Sequence, residues 1–306
     1  MKIVCDKHIP FLVEAIQNEW PHVQICSMES EKIDALAVHD ADILVARTRT
    51  KIDDALLSGS RVRLVCTATI GYDHIDTAYC DANGIKWMAC PGCNAQAVCD
   101  YIEEALDEVE AHGTIGIVGV GHVGSLVAKM AERKGYHVLL SDPPKKIGVS
   151  LDEIAKNSDV ITFHVPLDST TYHLCDASFL SRCKPNALII NAARGGVVDE
   201  QALLPSRRPY ILDTWENEPM IDTEVLKNAL RASMHIAGYS VEGKRNATQM
   251  CLDVIAEEYG LSPITLTLLS KEQRGDTSFG WLERITNQLK TTPSSFELLR
   301  KQYKLR

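Results

Sequence analysis

Three ionisable side chains in the second half of the sequence have the types that proton transfer and carboxylate binding require. Arg194 follows the apolar run 187–191, Glu218 follows the run 210–213, and His235 stands 17 residues after Glu218. A histidine titrates near neutrality and can take a proton from a hydroxyl group, and a nearby carboxylate stabilises the protonated ring. An arginine holds a carboxylate through two parallel hydrogen bonds. Each residue alone is more often an ion pair or a cap, but together they indicate oxidation of a hydroxy acid.

A glycine-rich loop upstream of these residues has the spacing of a dinucleotide-binding motif. Gly119, Gly121 and Gly124 form a G-x-G-x-x-G pattern between a β-branched run and a helical pattern. In that context the first glycine permits a sharp turn, the second lets the backbone approach a diphosphate, and the third allows close helix packing. Asp142 ends the next apolar run, where its carboxylate would bind the adenosine ribose and repel a 2′-phosphate. The sequence therefore predicts NAD rather than NADP, with a purely structural glycine turn as the alternative.

Short apolar runs alternate with helical patterns along the first 235 residues. Strands that are buried on both faces have continuous apolar runs, and their alternation with helices indicates parallel sheets in an α/β fold. The predicted strands are 2–5, 43–46, 64–67, 86–88, 114–118, 137–141, 160–164, 187–191 and 210–213. Helices are predicted at 9–19, 95–111 and 125–134. Since ligands bind at the carboxyl ends of parallel strands, the loops with Arg194, Glu218 and His235 are expected to converge there.

The order of these elements predicts two Rossmann-like, doubly wound domains. Four strands precede residue 90, and a new series begins at Thr114. We expect a flavodoxin-like substrate domain at 1–93, completed by about 238–260, and an NAD-binding domain at 94–237. Residues 261–306 break into short helical pieces and are expected to form a small C-terminal module.

Composition and charge narrow the function classes. Acidic residues outnumber basic ones 41 to 32 among 306 residues, and the net charge of −9 disfavours nucleic acid as a partner. The sequence has no run of ~18 apolar residues and no signal-peptide pattern at its N-terminus, so we expect neither a membrane span nor export. Ten cysteines in an unexported chain are expected to be reduced thiols in the cytoplasm.

Several motifs resemble the D-isomer-specific 2-hydroxyacid dehydrogenase superfamily, whose pattern covers most of residues 1–250 and includes 68–76. A closer likeness, to the subfamily that oxidises 4-phospho-D-erythronate with NAD in vitamin B6 biosynthesis, is carried by 67–69, 91–95, 142–144, 235–239 and 242–244. Residues 296–301 resemble the C-terminal dimerisation region of that subfamily. The resemblance implies a cytoplasmic, homodimeric dehydrogenase with its substrate between two domains.

The resemblance also implies a role for each matching position. Arg194 would bind the substrate carboxylate, Glu218 would orient and polarise His235, and His235 would transfer the proton. Cofactor contacts are implied at Gly119, Gly121, His122, Val123, Gly124, Asp142, Val165, Ala192, Ala193, Arg194, Asp213 and Gly238. Substrate contacts are implied at Thr48, Thr69 and Tyr239. Val165 stands where the family often has threonine, so only a backbone contact to the cofactor is expected there.

Two basic segments offer groups for a phosphate. Arg47 opens the stretch 47–51, which follows a predicted strand, and we predict that it binds the phosphate of the substrate; a solvated basic turn is the alternative. Between Glu283 and Arg306 there are six basic and two acidic residues. This segment is expected to be a solvated surface, or else an interface or anion-binding element.

The spacing of Cys90 and Cys93 suggests thiol or metal chemistry, but no second C-x-x-C pair is present to complete a zinc site. We therefore predict no metal and assign the pair to a strand–helix junction.

Two rival functions stay open at this stage. One is another D-2-hydroxyacid dehydrogenase, for example one acting on 3-phosphoglycerate. The other is a binding protein that senses NAD(H) on the same fold without catalysis, against which the intact set of Arg194, Glu218 and His235 argues.

Overall fold

The computed structural model describes residues 1–267 and 278–305, which divide into two compact units. The first unit comprises 1–94 together with 240–267, and the second comprises 95–239 together with 278–305. Within these described ranges, no helix combines the length and the apolarity needed to cross a membrane.

The strands divide into two sheets. The first sheet contains β1 (Lys2–Asp6), β2 (Gln24–Met28), β3 (Ile43–Ala46), β4 (Leu64–Thr67) and β5 (Lys86–Met88). The second contains β6 (Thr114–Val118), β7 (His137–Asp142), β8 (Ile147–Gly148), β9 (Val160–Phe163), β10 (Leu188–Asn191), β11 (Tyr210–Leu212) and β12 (Arg231–Ala232).

The helices flank these sheets. In chain order they are α1 (Leu12–Glu19), α2 (Ala35–Val38), α3 (Asp54–Leu57), α4 (Thr77–Ala82), α5 (Ala95–Glu108), α6 (His122–Arg133), α7 (Leu151–Asn157), α8 (Ala177–Arg182), α9 (Glu200–Ser206), α10 (Thr223–Asn228), α11 (Val241–Tyr259), α12 (Trp281–Thr291) and α13 (Phe296–Gln302).

The first sheet is parallel and buried on both faces. Its strand order, β2-β1-β3-β4-β5, is the flavodoxin-like order 2-1-3-4-5. Alternate residues of β1 enter opposite cores: Ile3 and Cys5 pack on one face and Val4 on the other. Helix α11, distant in sequence, contributes Cys251 and Ile255 to the first of these cores.

The second sheet has the order β12-β11-β10-β9-β6-β7-β8. Numbered from β6, this is 7-6-5-4-1-2-3, which contains the strand order of the dinucleotide-binding fold. All its pairs are parallel except β7 with β8. The α/β prediction with parallel sheets is therefore confirmed.

The two described parts of the C-terminal segment lie in different units. Ile264 and Leu266 join the core of the first unit, whereas Trp281, Leu282 and Phe296 join the core of the second. The remaining residues of the predicted module, 268–277 and 306, lie outside the described residues. A dimerising role for residues 261–306 stays a prediction.

Contacts within the second unit tie α12 to the strand β12. The hydroxyl of Thr286 accepts a hydrogen bond from the Ala232 N–H at 2.8 Å and lies 3.1 Å from the Ala232 carbonyl oxygen. The Glu108 carboxylate at the end of α5 accepts hydrogen bonds from the N–H of Leu282 and from Arg231, both at 2.9 Å. The C-terminal helices thus form part of the scaffold that carries the residues after β12.

Candidate active site

The glycine loop after β6 has the geometry that a dinucleotide phosphate requires. Gly119 has φ of +91°, and a Cβ there would lie 2.6 Å from the His164 carbonyl oxygen and 2.8 Å from Cγ1 of Val165. A Cβ on Gly124 would lie 1.9 Å from the Gly119 carbonyl oxygen, so α6 packs closely on β6 only because no side chain is present. Both positions therefore demand glycine.

Gly121 differs from the other two glycines because the space beside it is open. No heavy atom lies within 4 Å of a Cβ built there, and no side chain caps α6, which begins one residue later. The first backbone N–H groups of that helix, including those of His122 and Val123, have no intrahelical acceptor. An uncapped helix start beside an open glycine fits a diphosphate, which accepts hydrogen bonds and is favoured by the helix dipole.

Asp142 at the end of β7 connects the second strand of this unit to the glycine loop. Its Oδ2 accepts a hydrogen bond from the Val120 N–H at 2.8 Å and lies 3.4 Å from the Lys145 ammonium, which also donates to the Val120 carbonyl oxygen. The carboxylate therefore fixes the loop. Its contact with a ribose stays a prediction, and a carboxylate has acceptor capacity left for it.

Arg194, Glu218 and His235 follow three strands that lie side by side. β10 pairs with β11 and β11 with β12, all parallel, so the loops that leave their carboxyl ends share one edge of the sheet. The sequence predicted this edge without identifying β12, which has only two residues.

The Glu218–His235 pair is formed in the structure. Nδ1 of His235 lies 2.9 Å from Oε2 of Glu218, and Oε1 of Glu218 accepts the Trp215 N–H at 2.9 Å. With Nδ1 bound in this way, Nε2 is the nitrogen that can exchange a proton with a substrate. Burial would raise the pKa of Glu218, but the hydrogen bond and charge of His235, the Trp215 N–H and the charge of Arg300 outweigh it and hold the pKa below its ordinary value.

Asp213 anchors the backbone on both sides of the histidine. Its carboxylate, 1% exposed, accepts hydrogen bonds from the hydroxyl of Ser233 and from the N–H groups of Ile236 and Ala237 at 2.6 to 2.9 Å. Its carbonyl oxygen accepts the His235 N–H at 2.7 Å. His235 itself has φ of +58°, a strained conformation that such a set of bonds can maintain. The predicted nicotinamide contact of Asp213 therefore stays a prediction beside an observed structural role.

Arg194 lies in a loop held by a buried asparagine. The Asn191 side chain donates to the Arg194 carbonyl oxygen at 2.8 Å and accepts the Ala193 N–H at 3.1 Å. Gly195 is required after it, because a Cβ there would lie 2.0 Å from the Trp215 carbonyl oxygen. Ala192 and the half-buried Arg194 thus occupy a defined loop next to the one that carries Glu218.

Gly238 and Tyr239 complete the turn that begins at the histidine. The Tyr239 N–H donates to the Ile236 carbonyl oxygen at 2.8 Å, with Gly238 inside the turn. The phenol oxygen of Tyr239 accepts a hydrogen bond from Nε of Arg300 at 3.1 Å. Sequence reasoning missed Arg300, and its only signal was the basic composition of the C-terminal segment.

The predicted substrate residues of the first unit lie at the ends of β3 and β4. Thr48 is exposed in a turn after β3, and the Thr69 hydroxyl, just beyond β4, lies 2.7 Å from that of Thr67. Arg47 is engaged elsewhere: its Nε and Nη2 donate to the buried carboxylate of Asp6 at 2.9 and 3.2 Å. The structure therefore gives Arg47 an ion-pairing role that competes with the predicted phosphate contact.

The cysteines fit a packing role. All ten lie in the described residues and are free, and eight of them are buried. A hydrogen bond with Cys251 and burial raise the pKa of Cys90, and burial raises the pKa of Cys93 to about 12. The thiolate form that redox or metal chemistry requires is therefore disfavoured at both positions.

A cluster of His173, Asp199 and Glu216, which the sequence did not predict, includes a residue of the loop that carries Glu218. His173 Nε2 lies 2.9 Å from Glu216 Oε1 while its Nδ1 lies 3.9 Å from Asp199 Oδ2, so the two carboxylates flank opposite ring nitrogens. That arrangement fixes a histidine rather than surrounding one metal. Burial raises the pKa of the neighbouring Glu200 to about 8.

Comparison with known proteins agrees with this geometry. The NAD-binding domain model of the D-isomer specific 2-hydroxyacid dehydrogenases matches residues 101–237. The structure of D-lactate dehydrogenase from Aquifex aeolicus, complexed with NAD and lactic acid, superposes with a TM-score of 0.68 at 25% identity, covering 84% of this chain and 96% of that one. Fold and site thus define an NAD-dependent 2-hydroxyacid dehydrogenase.

Closer relatives refine this class. The chain is 40% identical, over an alignment of 338 positions, to an erythronate-4-phosphate dehydrogenase of Bacteroides fragilis, covering 100% of this chain and 97% of the relative. It is 38% identical over 287 residues to one of Pseudomonas fluorescens, covering 87% and 75%. The chain therefore belongs to the erythronate-4-phosphate dehydrogenase family, and the resemblance predicted from its motifs is confirmed.

Proposed function

We propose that this protein oxidises 4-phospho-D-erythronate to 2-oxo-3-hydroxy-4-phosphobutanoate with NAD, as a step of pyridoxal 5′-phosphate biosynthesis. The full-length similarity to erythronate-4-phosphate dehydrogenases supports the substrate. The observation that carries the chemistry is the 2.9 Å contact between Glu218 and His235 beside the Arg194 loop.

Each of the three side chains has one task in the proposed reaction. Nε2 of His235 accepts the proton of the C2 hydroxyl as the C2–H bond breaks. Glu218 stabilises the imidazolium that forms, and Arg194 holds the substrate carboxylate through paired hydrogen bonds. NAD, when bound, supplies the acceptor for the hydride that leaves C2. In the reverse direction the imidazolium of His235 returns the proton.

Other residues would hold the two ligands. Gly119, Gly121 and Gly124 shape the loop for the diphosphate, and Asp142 would bind the adenosine ribose and disfavour NADP. The remaining implied contacts are His122, Val123, Val165, Ala192, Ala193, Asp213 and Gly238 for the cofactor, and Thr48, Thr69 and Tyr239 for the substrate.

The assembly and location belong to the same proposal. We propose a cytoplasmic homodimer that forms through the C-terminal region, with residues 1–93 and about 238–260 as substrate domain and 94–237 as NAD-binding domain. Because Trp281, Leu282 and Phe296 are buried in the second unit, deletion of the tail would expose that core. Light scattering on the intact chain is the appropriate test, and a monomeric mass would contradict the homodimer.

A substrate panel tests the proposed reaction. NADH absorbance is followed with purified protein, NAD and 4-phospho-D-erythronate, in parallel with 3-phosphoglycerate and D-lactate, and repeated with a 2-oxo acid in case NADH is retained. We expect selective oxidation of the phosphoerythronate. Activity only on the other acids would contradict the substrate, and no activity on any acid would favour a sensor of NAD(H).

A further inference from the structure

A cation from the last helix is held against the turn that carries the histidine. Nε of Arg300 in α13 donates to the Tyr239 phenol oxygen at 3.1 Å, and its guanidinium carbon lies 5.6 Å from the centre of the Tyr239 ring. Nη1 lies 3.3 Å from Oε1 of Glu297 on the same helix. The Arg300 side chain is only 26% exposed. These contacts distinguish Arg300 from a solvated surface arginine.

The turn that Arg300 contacts is continuous with the Glu218–His235 pair. Tyr239 lies four residues after His235, and its N–H closes the turn on Ile236. Asp213 fixes the start of this turn through Ile236 and Ala237, whereas Arg300 holds its end. The two ends of the segment are therefore fixed by different parts of the same unit.

The charge of Arg300 also acts on the carboxylate partner of the histidine. Burial would raise the pKa of Glu218, but His235 first, then the Trp215 N–H and the charge of Arg300, keep it below its ordinary value. The charge of Glu218 in turn adds to burial in raising the pKa of Glu200. Among the described residues, His235 thus acts on Glu218 through a direct hydrogen bond, and Arg300 acts on it through space.

We propose that Arg300 is a positioning residue of the reaction: it holds Tyr239 at the end of the turn 235–239, which begins at the proton-transferring histidine. The proposal rests on the proposed function for the chemistry it supports. It assigns part of the basic C-terminal segment to the active site rather than to solvent.

The kinetic test compares R300Q with R300K and with the control K301Q. Lys301 is an exposed neighbour on the same helix, so its change removes the same charge without the Tyr239 contact. R300Q should lower kcat about tenfold with an unchanged KM for NAD, because the turn that begins at His235 loses the contact that holds its end. R300K should recover part of kcat, since it keeps the charge but not the planar fork. A kcat for R300Q equal to that of K301Q would overturn the proposal.

A second readout uses the free protein, without NAD or substrate. The ring signals of His235 are followed by NMR with labelled histidine from pH 3 to pH 8 and assigned with H235A. In R300Q the acidic transition that reports Glu218 should move to higher pH, whereas in R300K and K301Q it should stay near that of the wild type. An unshifted transition in folded R300Q would overturn the proposal.

Two provisions keep this test decisive. If R300Q does not fold, Y239F replaces it, because loss of the phenol oxygen releases Arg300 and should move the same transition upward; no movement would overturn the proposal. The NMR experiment needs no turnover. A wild type that fails to oxidise the phosphorylated acid would therefore refute the proposed function while the role of Arg300 is still measured.

Discussion

The carboxyl ends of the two sheets carry similar residues that are used differently. At the first sheet, Arg47 is paired with the buried Asp6, and Thr69 is hydrogen-bonded to its neighbour Thr67. At the second, Nδ1 of His235 lies 2.9 Å from Glu218, and Nε2 has no hydrogen-bond partner among the described residues. The role of a basic or polar residue at a strand end therefore depends on its partner, because a charge that forms a buried ion pair stabilises the fold and is not free to bind a ligand.

Removal of the histidine should have the largest effect. H235A should lower kcat by ~10²–10⁴-fold, the usual contribution of a positioned general base, because no other group then accepts the hydroxyl proton. NADH affinity, measured by fluorescence titration, should not change. H137A, at an exposed histidine of β7, is the control. A kcat for H235A within a few fold of the wild type would exclude the assigned role.

Arg194 and Arg47 should differ most clearly in the property that their substitution changes. R194Q should raise the KM for the hydroxy acid by ~10–100-fold, since a charge-assisted hydrogen-bond pair contributes about 1.5–3 kcal/mol. R194K should raise this KM by a smaller factor. The urea concentration at the midpoint of unfolding should be close to that of the wild type for both variants. An unchanged KM in R194Q would show that Arg194 does not bind the substrate carboxylate.

Loss of the other arginine should instead affect stability. R47Q leaves the buried Asp6 carboxylate with Ser30 and the His8 N–H as its donors in the described part of the chain, so the free energy of unfolding should fall by about 2 kcal/mol. Urea titration measures this change. K51Q removes the solvent-exposed pair of Lys51 with Asp53 and should lower the free energy of unfolding less than R47Q does, because water screens that pair. If R47Q were as stable as K51Q and raised only the KM, the phosphate assignment would replace the structural one.

Glu200 should give the smallest effect, one that depends on pH. Burial raises its pKa from 4.5 to about 8, so the folded state keeps a proton that the unfolded state releases, and stability falls as pH rises through that window. E200Q keeps the acceptor for the Glu216 N–H and removes this cost. The free energy of unfolding of E200Q should exceed that of the wild type by an amount that grows between pH 5 and pH 8.5, to on the order of 1 kcal/mol. The difference in Tm between the two proteins, measured at each pH, should grow in the same way. A constant difference, as in the exposed control E132Q, would contradict the shift.

Much of the fold could be predicted because buried parallel strands have continuous apolar runs. All nine predicted strands are found: four have the predicted bounds, for example Thr114–Val118, and in the other five one end is displaced by one residue. Gln24–Met28 was missed because this edge strand is polar and partly exposed and pairs only with β1. The two-residue strands Ile147–Gly148 and Arg231–Ala232 are too short to show a pattern.

The candidate site could be predicted only where a motif specifies it. Glu218, His235 and the three glycines stand at characteristic spacings. The roles of Ser233 and Arg300 depend on side-chain contacts with residues 20 and 61 positions away, which no local pattern encodes. Arg47 has the sequence context of a phosphate ligand, and its ion pair with Asp6, 41 positions away, could not be predicted from a local pattern.

In the proposed reaction, hydride leaves C2 of the acid as His235 takes the proton. A single turnover with NAD and 4-phospho-D-erythronate carrying deuterium at C2, followed by mass spectrometry of the reduced cofactor, tests it directly. We expect NADH with one deuterium from the wild type and none formed by H235A on the same timescale. Deuterium retained in the acid, or lost to water with no labelled NADH, would contradict it.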